Sequence, residues 1–413
     1  MSINRREFLA GALLSGAASA WSAEEAVKPK VRAITAFLRL DRPRYQEQIH
    51  ETLQTLRQAK RLIEAGGYQV EGVRIVTQPF PEYVRGLSRP EALRFFQEYD
   101  ALAAKESFDP NIGPAMFADS DDPAHAELLG EVLSVTKILE GSLVIAGEGG
   151  IQWKCLQAAA KLVKFVEEHS PGSAANFNFT ATAMLAPYAP FYPGAYHLGE
   201  GRRFAIGTEG ANVVDWVFAR TAGNAPLAAD RLSQALSMHA VALEKLARQA
   251  EKETGWMYMG IDATPAPLRE VSIGAAIEKF TGARFGSSGT MTACAIITKA
   301  VQSVPVKRVG YSGLMLPVLE DTLLAQRWGE GAYDVDALLA YSAVCGTGLD
   351  TIPMAGDVSQ PQIERIMGDV ATLAYKWKKP LTARLLPVTG KKAGERTAFD
   401  DPFLVNTVIQ PIR

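Results

Sequence analysis

Residues 31–77 read VRAITAFLRLDRPRYQEQIHETLQTLRQAKRLIEAGGYQVEGVRIVT. Val31–Leu38 is apolar and β-branched, which predicts a strand. Tyr45–Ala65 places Ile49, Leu53, Leu56 and Ile63 on one helical face, and Gly66-Gly67 ends that helix. Val70–Thr77 then returns to a strand pattern. A strand, a helix and a second strand of this length form a crossover unit, and crossovers build parallel sheets with helices outside.

The same alternation continues outward. Further strands are predicted at Ile112–Phe117, Leu143–Ala146, Phe177–Met184, Phe204–Gly207, Trp256–Ile261, Val309–Leu316, Thr351–Met354 and Leu381–Val388. Helices are predicted between them, most clearly at Ile151–Glu168, Ala228–Lys252, Ser288–Gln302 and Gln360–Lys376. Ser359 and Gln362 form a capping box at the start of the last. About ten strands exceed what a regular eight-stranded barrel needs. No polar linker and no constant-period repeat divides the chain. The expectation is α/β, one domain over residues 31–413.

Residues 1–23 read differently. Asn4-Arg5-Arg6-Glu7-Phe8-Leu9 opens a short uncharged run, and Ala18-Ser19-Ala20 offers a small-x-small cleavage site. This is the form of a cleavable twin-arginine signal peptide, which implies a periplasmic or otherwise extracytoplasmic protein that meets the twin-arginine translocation machinery already folded. The run is shorter than the about 20 apolar residues of a membrane-spanning helix, so no stable membrane anchor is expected. The 413 residues are 47% hydrophobic and 21% charged, with a net charge of -2. That balance does not suggest a nucleic-acid partner. Three cysteines, Cys155, Cys294 and Cys345, form no metal-binding or disulfide framework. The sequence leaves a homo-oligomer open.

Chemistry in parallel α/β proteins collects on loops at the carboxyl ends of strands, and four loops stand out. Val344–Asp357 (VCGTGLDTIPMAGD) carries Cys345, Asp350 and Asp357. The carboxylates suit proton transfer or a hard cation, whereas two plain turns are the alternative. Val388–Gly394 (VTGKKAG) places Lys391 and Lys392 beside Gly390, suited to an anion or simply a solvated basic turn. Arg384, inside the preceding strand, is able to point into a barrel and fork onto an anion. Ala186–His197 (APYAPFYPGAYH) offers Tyr188, Phe191, Tyr192 and Tyr196 as a substrate wall and His197 as a proton carrier; a rigid packed loop is the alternative. Tyr311–Asp321 holds Tyr311 and the pair Glu320-Asp321, and Asp262 ends another strand. These acids are candidate ligands for a divalent cation, with favourable charge at a helix start as the other reading for the pair.

Several of these motifs, in order, resemble domain of unknown function family 711 (uncharacterised protein family 0210). They are GVRIVTQPFPEY at Gly72–Tyr83, NIGP at Asn111–Pro114, PFYPGAYH at Pro190–His197, GIDATPAP at Gly260–Pro267 and GYSGLMLPVLED at Gly310–Asp321, together with Tyr341–Asp357 and Gly390–Gly394. The resemblance runs from about Val31 to the end and implies a ten-stranded α/β barrel of the pyruvate formate-lyase-like type. It does not extend to radical chemistry. Arg308-Val309-Gly310-Tyr311 is one residue short of the glycyl-radical motif, precedes Cys345 and is not terminal.

These readings converge on an exported enzyme using acid/base or metal-assisted chemistry on a small anionic or polyhydroxylated molecule. In that reading Asp350, Asp357, His197 or Cys345 would be catalytic, and Arg384, Lys391, Lys392 and Tyr311 would hold the ligand. Asp262, Glu320 and Asp321 would hold any metal. The alternative is a non-catalytic binding or scaffold protein of the cell envelope.

Overall fold

The computed structural model describes residues 27–191 and 193–412. The leader and Tyr192 lie outside the described residues. The strands are β1 (Lys30–Phe37), β2 (Val70–Val76), β3 (Asp109–Pro114), β4 (Glu140–Gly147), β5 (Gly150–Ile151), β6 (Phe179–Ala183), β7 (Arg203–Glu209), β8 (Met257–Asp262), β9 (Gly348–Ala355) and β10 (Leu381–Val388). All belong to one 10-stranded sheet in the order β8-β7-β1-β2-β3-β4-β6-β10-β9, with β5 hairpinned onto β4.

Five strands, β1, β2, β3, β4 and β6, lie parallel. On one flank β7 joins β1 antiparallel and β8 follows parallel to β7. On the other flank β10 joins β6 antiparallel and β9 follows parallel to β10. The two outer strands both meet the segment 308–317, through bridges between Ile261 and Arg308 and between Pro317 and Asp350. The sheet thereby closes into an α/β barrel.

That closing segment corrects one expectation, because Val309–Leu316 is not a ladder strand. Its backbone N–H groups are used elsewhere. Tyr311 and Ser312 donate to the Asp262 carboxylate, Gly313 to the Thr264 hydroxyl and Leu314 to the Thr298 hydroxyl. Gly310 and Ser312 turn through left-handed backbone (φ 73 and 46). Side-chain acceptors outcompeted strand pairing here.

Alternation along each strand sorts residues between the two faces. On β1, Ile34 and Ala36 join the large core under the helices, together with Ile49, Leu53, Leu56 and Ile63 of the helix Tyr45–Ala65. Fully burying each such side chain contributes about 2 kcal/mol. Thr35 and Phe37 face the barrel interior. The Thr35 hydroxyl donates to the Pro190 carbonyl, and Phe37 packs with Val76, Ala195 and Ala205. The loop 186–197 therefore fills the barrel from within. Asn111 donates to the Pro193 carbonyl, and the His197 N–H donates to the Thr77 carbonyl. Gly194 is required in this loop, since a Cβ there would stand 2.6 Å from Thr182 and 2.9 Å from the Tyr311 hydroxyl. No described helix is long and apolar enough to cross a membrane.

Candidate functional site

Beside the filling, the described residues enclose a polar cavity of about 560 Å³ whose lining includes Phe191 and Met315. Its charged lining comes from the amino-terminal parts of the parallel strands, with Arg32 on β1, Glu71 and Arg74 on β2, and Asp109 on β3. Asp350 of β9 and Arg384 of β10 face them from the antiparallel flank, joined by Glu320. The carboxyl ends, where the loops were expected to converge, are occupied by the 186–197 filling.

Two bulges aim the charges. Along β1 the register passes from Val31↔Thr208 to Ala33↔Gly207, so Arg32 is an extra residue in its strand. Along β9 it passes from Leu349↔Ala383 to Ile352↔Leu385, so Asp350 and Thr351 together oppose Arg384. Such bulges re-aim side chains. Thr351 consequently sits at φ 49, an unusual place for a β-branched residue, and its hydroxyl accepts the Leu319 N–H at 3.1 Å.

The charges form a connected network. Arg384 Nη1 donates to Glu320 Oε1 at 2.9 Å and to Asp350 Oδ1 at 3.3 Å. Its Nε donates to the Phe177 carbonyl at 2.9 Å, and its guanidinium stacks 4.0 Å from the Phe177 ring. Arg32 Nη1 donates to Glu71 at 3.2 Å and Glu209 at 3.0 Å, and its Nη2 stands 4.0 Å from Glu320. Lys30 closes the far side of the same carboxyl pair, 2.9 Å from Glu71 and 3.9 Å from Glu209. Arg74 pairs with Asp109 at 3.4 Å and donates to the Pro190 carbonyl at 3.2 Å.

Burial retunes the acids. Asp350 is pushed up to about 6 by burial and then by the Glu320 charge, against the pull of Arg384. Glu209 is pushed up to about 7 by burial and then by its hydrogen bond with Glu71. Burial acts on Glu71 too, but hydrogen bonds from Glu209 and Lys30 and the charge of Arg32 hold it low. The pair thus shares a proton near neutrality. Glu140, the first residue of β4, is fully buried and its carboxyl is pushed well up by that burial, and its Oε2 has no partner among the described residues.

Of the residues singled out in the sequence, the cavity gathers Asp350, Arg384 and Glu320. Tyr311 stands just behind them, in a deeper chamber. The others are placed elsewhere. Asp262 uses its oxygens on N–H donors of Thr264, Tyr311 and Ser312 and on the Thr264 hydroxyl. Asp321 caps two helices, accepting from Ile273 and Gly274 of one and Leu323 and Leu324 of the other. Neither is left free to hold a cation. Glu320 and Asp321, neighbours in sequence, point to different tasks. Among the described residues no group of three or more His, Cys, Asp or Glu side chains is arranged for a metal.

Asp357 is exposed beyond the end of β9, and Lys392 is exposed in a turn where its N–H donates to Glu395. The Lys391 carbonyl accepts the Gly356 N–H, giving the lysine a backbone role. Cys345 is buried, with Lys379 donating to its carbonyl. His197 is buried in the filling, and burial beside Arg203 lowers it to about 4. The hydroxyls of Tyr188 and Tyr196 donate to the Leu198 and Leu185 carbonyls, so these rings fasten the loop, and of its described aromatic residues Phe191 lines the cavity. The sequence reading passed over Arg32, Glu71, Arg74, Glu140 and Glu209. Their signal was charge inside otherwise apolar strands, since such residues are rarely buried unless paired.

The model of the family described as Uncharacterised ACR (DUF711) matches residues 25–400. The chain belongs to DUF711. A DUF711 relative, the UPF0210 protein of Pyrobaculum islandicum, is 30% identical over 388 residues, covering 90% of this chain and 84% of its own. The UPF0210 protein of Pyrobaculum aerophilum is 35% identical over 315 residues, covering 72% and 68% respectively. Among solved structures, the anaerobic ribonucleotide reductase of Thermotoga maritima in complex with dATP and CTP is similar with a TM-score of 0.41 at 8% identity. That likeness covers 86% of the DUF711 chain and 75% of the reductase.

Proposed function

We propose that this DUF711 protein is an enzyme performing acid–base chemistry on a small polyhydroxylated molecule held in the charged cavity. One observation carries the reading. Asp350 lines the cavity beside Arg384 with its proton affinity raised to about 6, while across the cavity Glu71 lines the wall and Glu209 behind it, hydrogen-bonded to Glu71, is raised to about 7. Acids tuned close to the working pH are suited to proton transfer. In this reading Asp350 is the base and the Glu71–Glu209 pair the acid. Arg32 and Arg384 orient the substrate.

The wall chemistry favours hydroxyl groups over a bare anion. Each cavity arginine already faces a carboxylate, so an anionic substrate would have to displace one. A hydroxyl donates to a carboxylate and accepts from a guanidinium, and so enters such a network without stranding a charge. The test is a panel of aldoses, uronic acids, polyols and their methyl and 4-nitrophenyl glycosides, read by native mass and by NMR. Asp350→Asn is expected to retain the fold and lose about 10²–10⁴-fold in turnover of whichever compound is accepted. Equal turnover by wild type and variant would sink the assignment.

We also read the fold as a single domain over 31–413 of the pyruvate formate-lyase-like class, supported by the two opposed parallel sets of strands. Export is the reading that Arg5-Arg6, the uncharged run and the Ala18-Ser19-Ala20 site support, and the burial of all three cysteines is compatible with an oxidising compartment. Replacing both arginines by lysine is expected to trap the precursor inside the cell. Unimpaired secretion of that variant would refute the twin-arginine route.

A further inference from the structure

Behind Asp350 lies a second chamber of about 20 Å³, sharing Asp350, Arg384, Phe191 and Met315 with the main cavity. Its remaining walls are Tyr311, Pro193 and three threonines, Thr180, Thr347 and Thr382. The volume is that of one water molecule, for which about 10–15 Å³ of accessible space suffices. Polarity also fits. Thr347 is only 2% exposed, and its hydroxyl has no hydrogen-bond partner among the described residues. Thr180 and Thr382 make only long contacts, donating to the Ala181 carbonyl at 3.5 Å and the Leu349 carbonyl at 3.4 Å, so their oxygens keep accepting capacity. A buried hydroxyl left unpaired is destabilising, and a bridging water removes that cost.

We propose that this chamber binds a single water molecule between the Thr347 hydroxyl and the Asp350 carboxylate, and that this water is a reactant, making the protein a hydrolase of glycoside-like C–O bonds. The inference rests on the acid–base reading of the cavity and specifies its reaction class. Thr347 acts as a positioning residue. In the step, Asp350 takes a proton from the water, and the water oxygen bonds to the substrate carbon. The bond from that carbon to the leaving oxygen breaks, with its electron pair going to that oxygen. The leaving oxygen takes the proton held by the Glu71–Glu209 pair. The proton on Asp350 then returns through solvent to that pair, so the sum is one water consumed and two hydroxyl products formed.

The chain neighbours of Pro193 and Thr347 are tightly packed. Gly194 stands against Thr182 and the Tyr311 hydroxyl, and Gly346 stands against Gly313, where a Cβ would meet the facing backbone at 2.4 Å. These close approaches leave little room for the chamber to collapse.

The experiment has two parts. Crystal structures of the wild type, Thr347→Val and Thr347→Ser at about 1.5 Å resolution are compared, with folding checked by Tm. An ordered water within about 3 Å of both Thr347 Oγ1 and an Asp350 oxygen is expected in the wild type and the serine variant and absent with valine. A wild-type chamber without that water overturns the proposal. The glycosides of the panel are then incubated with the wild type in H₂¹⁸O. One ¹⁸O atom is expected in the product, with turnover at least tenfold lower for Thr347→Val and largely restored by serine. Asp350-dependent turnover of a panel compound other than a glycoside, with every glycoside left intact, overturns the hydrolase assignment alone. Turnover of any panel compound without ¹⁸O uptake overturns it too, while leaving the acid–base reading intact. Failure of the acid–base reading itself shows instead as Asp350→Asn matching the wild type.

Discussion

The two mouths of the barrel are built from the same strands and have opposite character. At the carboxyl ends of the parallel strands, the loop 186–197 packs Ala195 and Tyr188 against Phe37 and Val76, and buries His197. At the amino ends, Arg32, Glu71, Arg74, Asp350 and Arg384 surround open space. A polypeptide loop brings its own backbone hydrogen bonds and apolar side chains, so it seals. Ion-paired charges resist complete closure, because their desolvation is costly without further polar partners. The difference teaches that in this chain the open mouth, rather than the habitual end of the strands, offers the candidate site.

Substitutions can break this comparison. The largest effect is expected at Arg384→Ala, which leaves Glu320 and Asp350 buried without their shared cation. A loss of about 3–5 kcal/mol is expected in urea unfolding, and a loss below about 1 kcal/mol would show that the network does not depend on this residue.

Glu209→Gln sharpens the comparison through pH. Glu209 takes up its proton at about 7 in the fold, against 4.5 for an ordinary glutamate. Between these values the native state holds a proton that the unfolded chain releases. Its stabilising contribution is therefore complete below the unfolded value and is lost as pH rises through 7. Glutamine removes that dependence. The variant is expected to gain on the wild type by roughly 1–3 kcal/mol between pH 5 and pH 8, measured by unfolding at both. A constant gap would count against a shared proton. At the bottom of the scale, Lys391→Ala and Asp357→Asn are expected to stay within about 0.5 kcal/mol in the same unfolding measurement.

Much of the architecture was legible because periodicity and punctuation agreed. The helix Tyr45–Ala65 has the predicted bounds, and the capping box of Ser359 with Gln362 is present. Val309–Leu316 was misread because nothing local reveals that Asp262, far away in sequence, takes its N–H groups. Within the site, Arg384 was legible as a charge inside an apolar strand. The same reasoning applied to Arg32, Glu71 and Arg74 would have found the facing wall. Glu320 and Asp350 were noticed as loop acids at carboxyl ends, whereas the structure places both on the cavity wall. The N–H partners of Asp262 and Asp321 were not legible, because a carboxylate held by several N–H groups and one free to meet a ligand look identical in sequence.

The interior loop has a consequence for how the chain assembles. It lies between β6 and β7, so it is synthesised after the first set of parallel strands and before the second. The order of synthesis thus matches an order of construction: a half-shell, then its lining, then the half-shell that encloses it. A permuted chain that made the second set first would have to thread residues 186–197 into a ring already shut. Slow or failed renaturation of such a rearranged gene product, with normal behaviour of the natural order, is the cost this arrangement imposes.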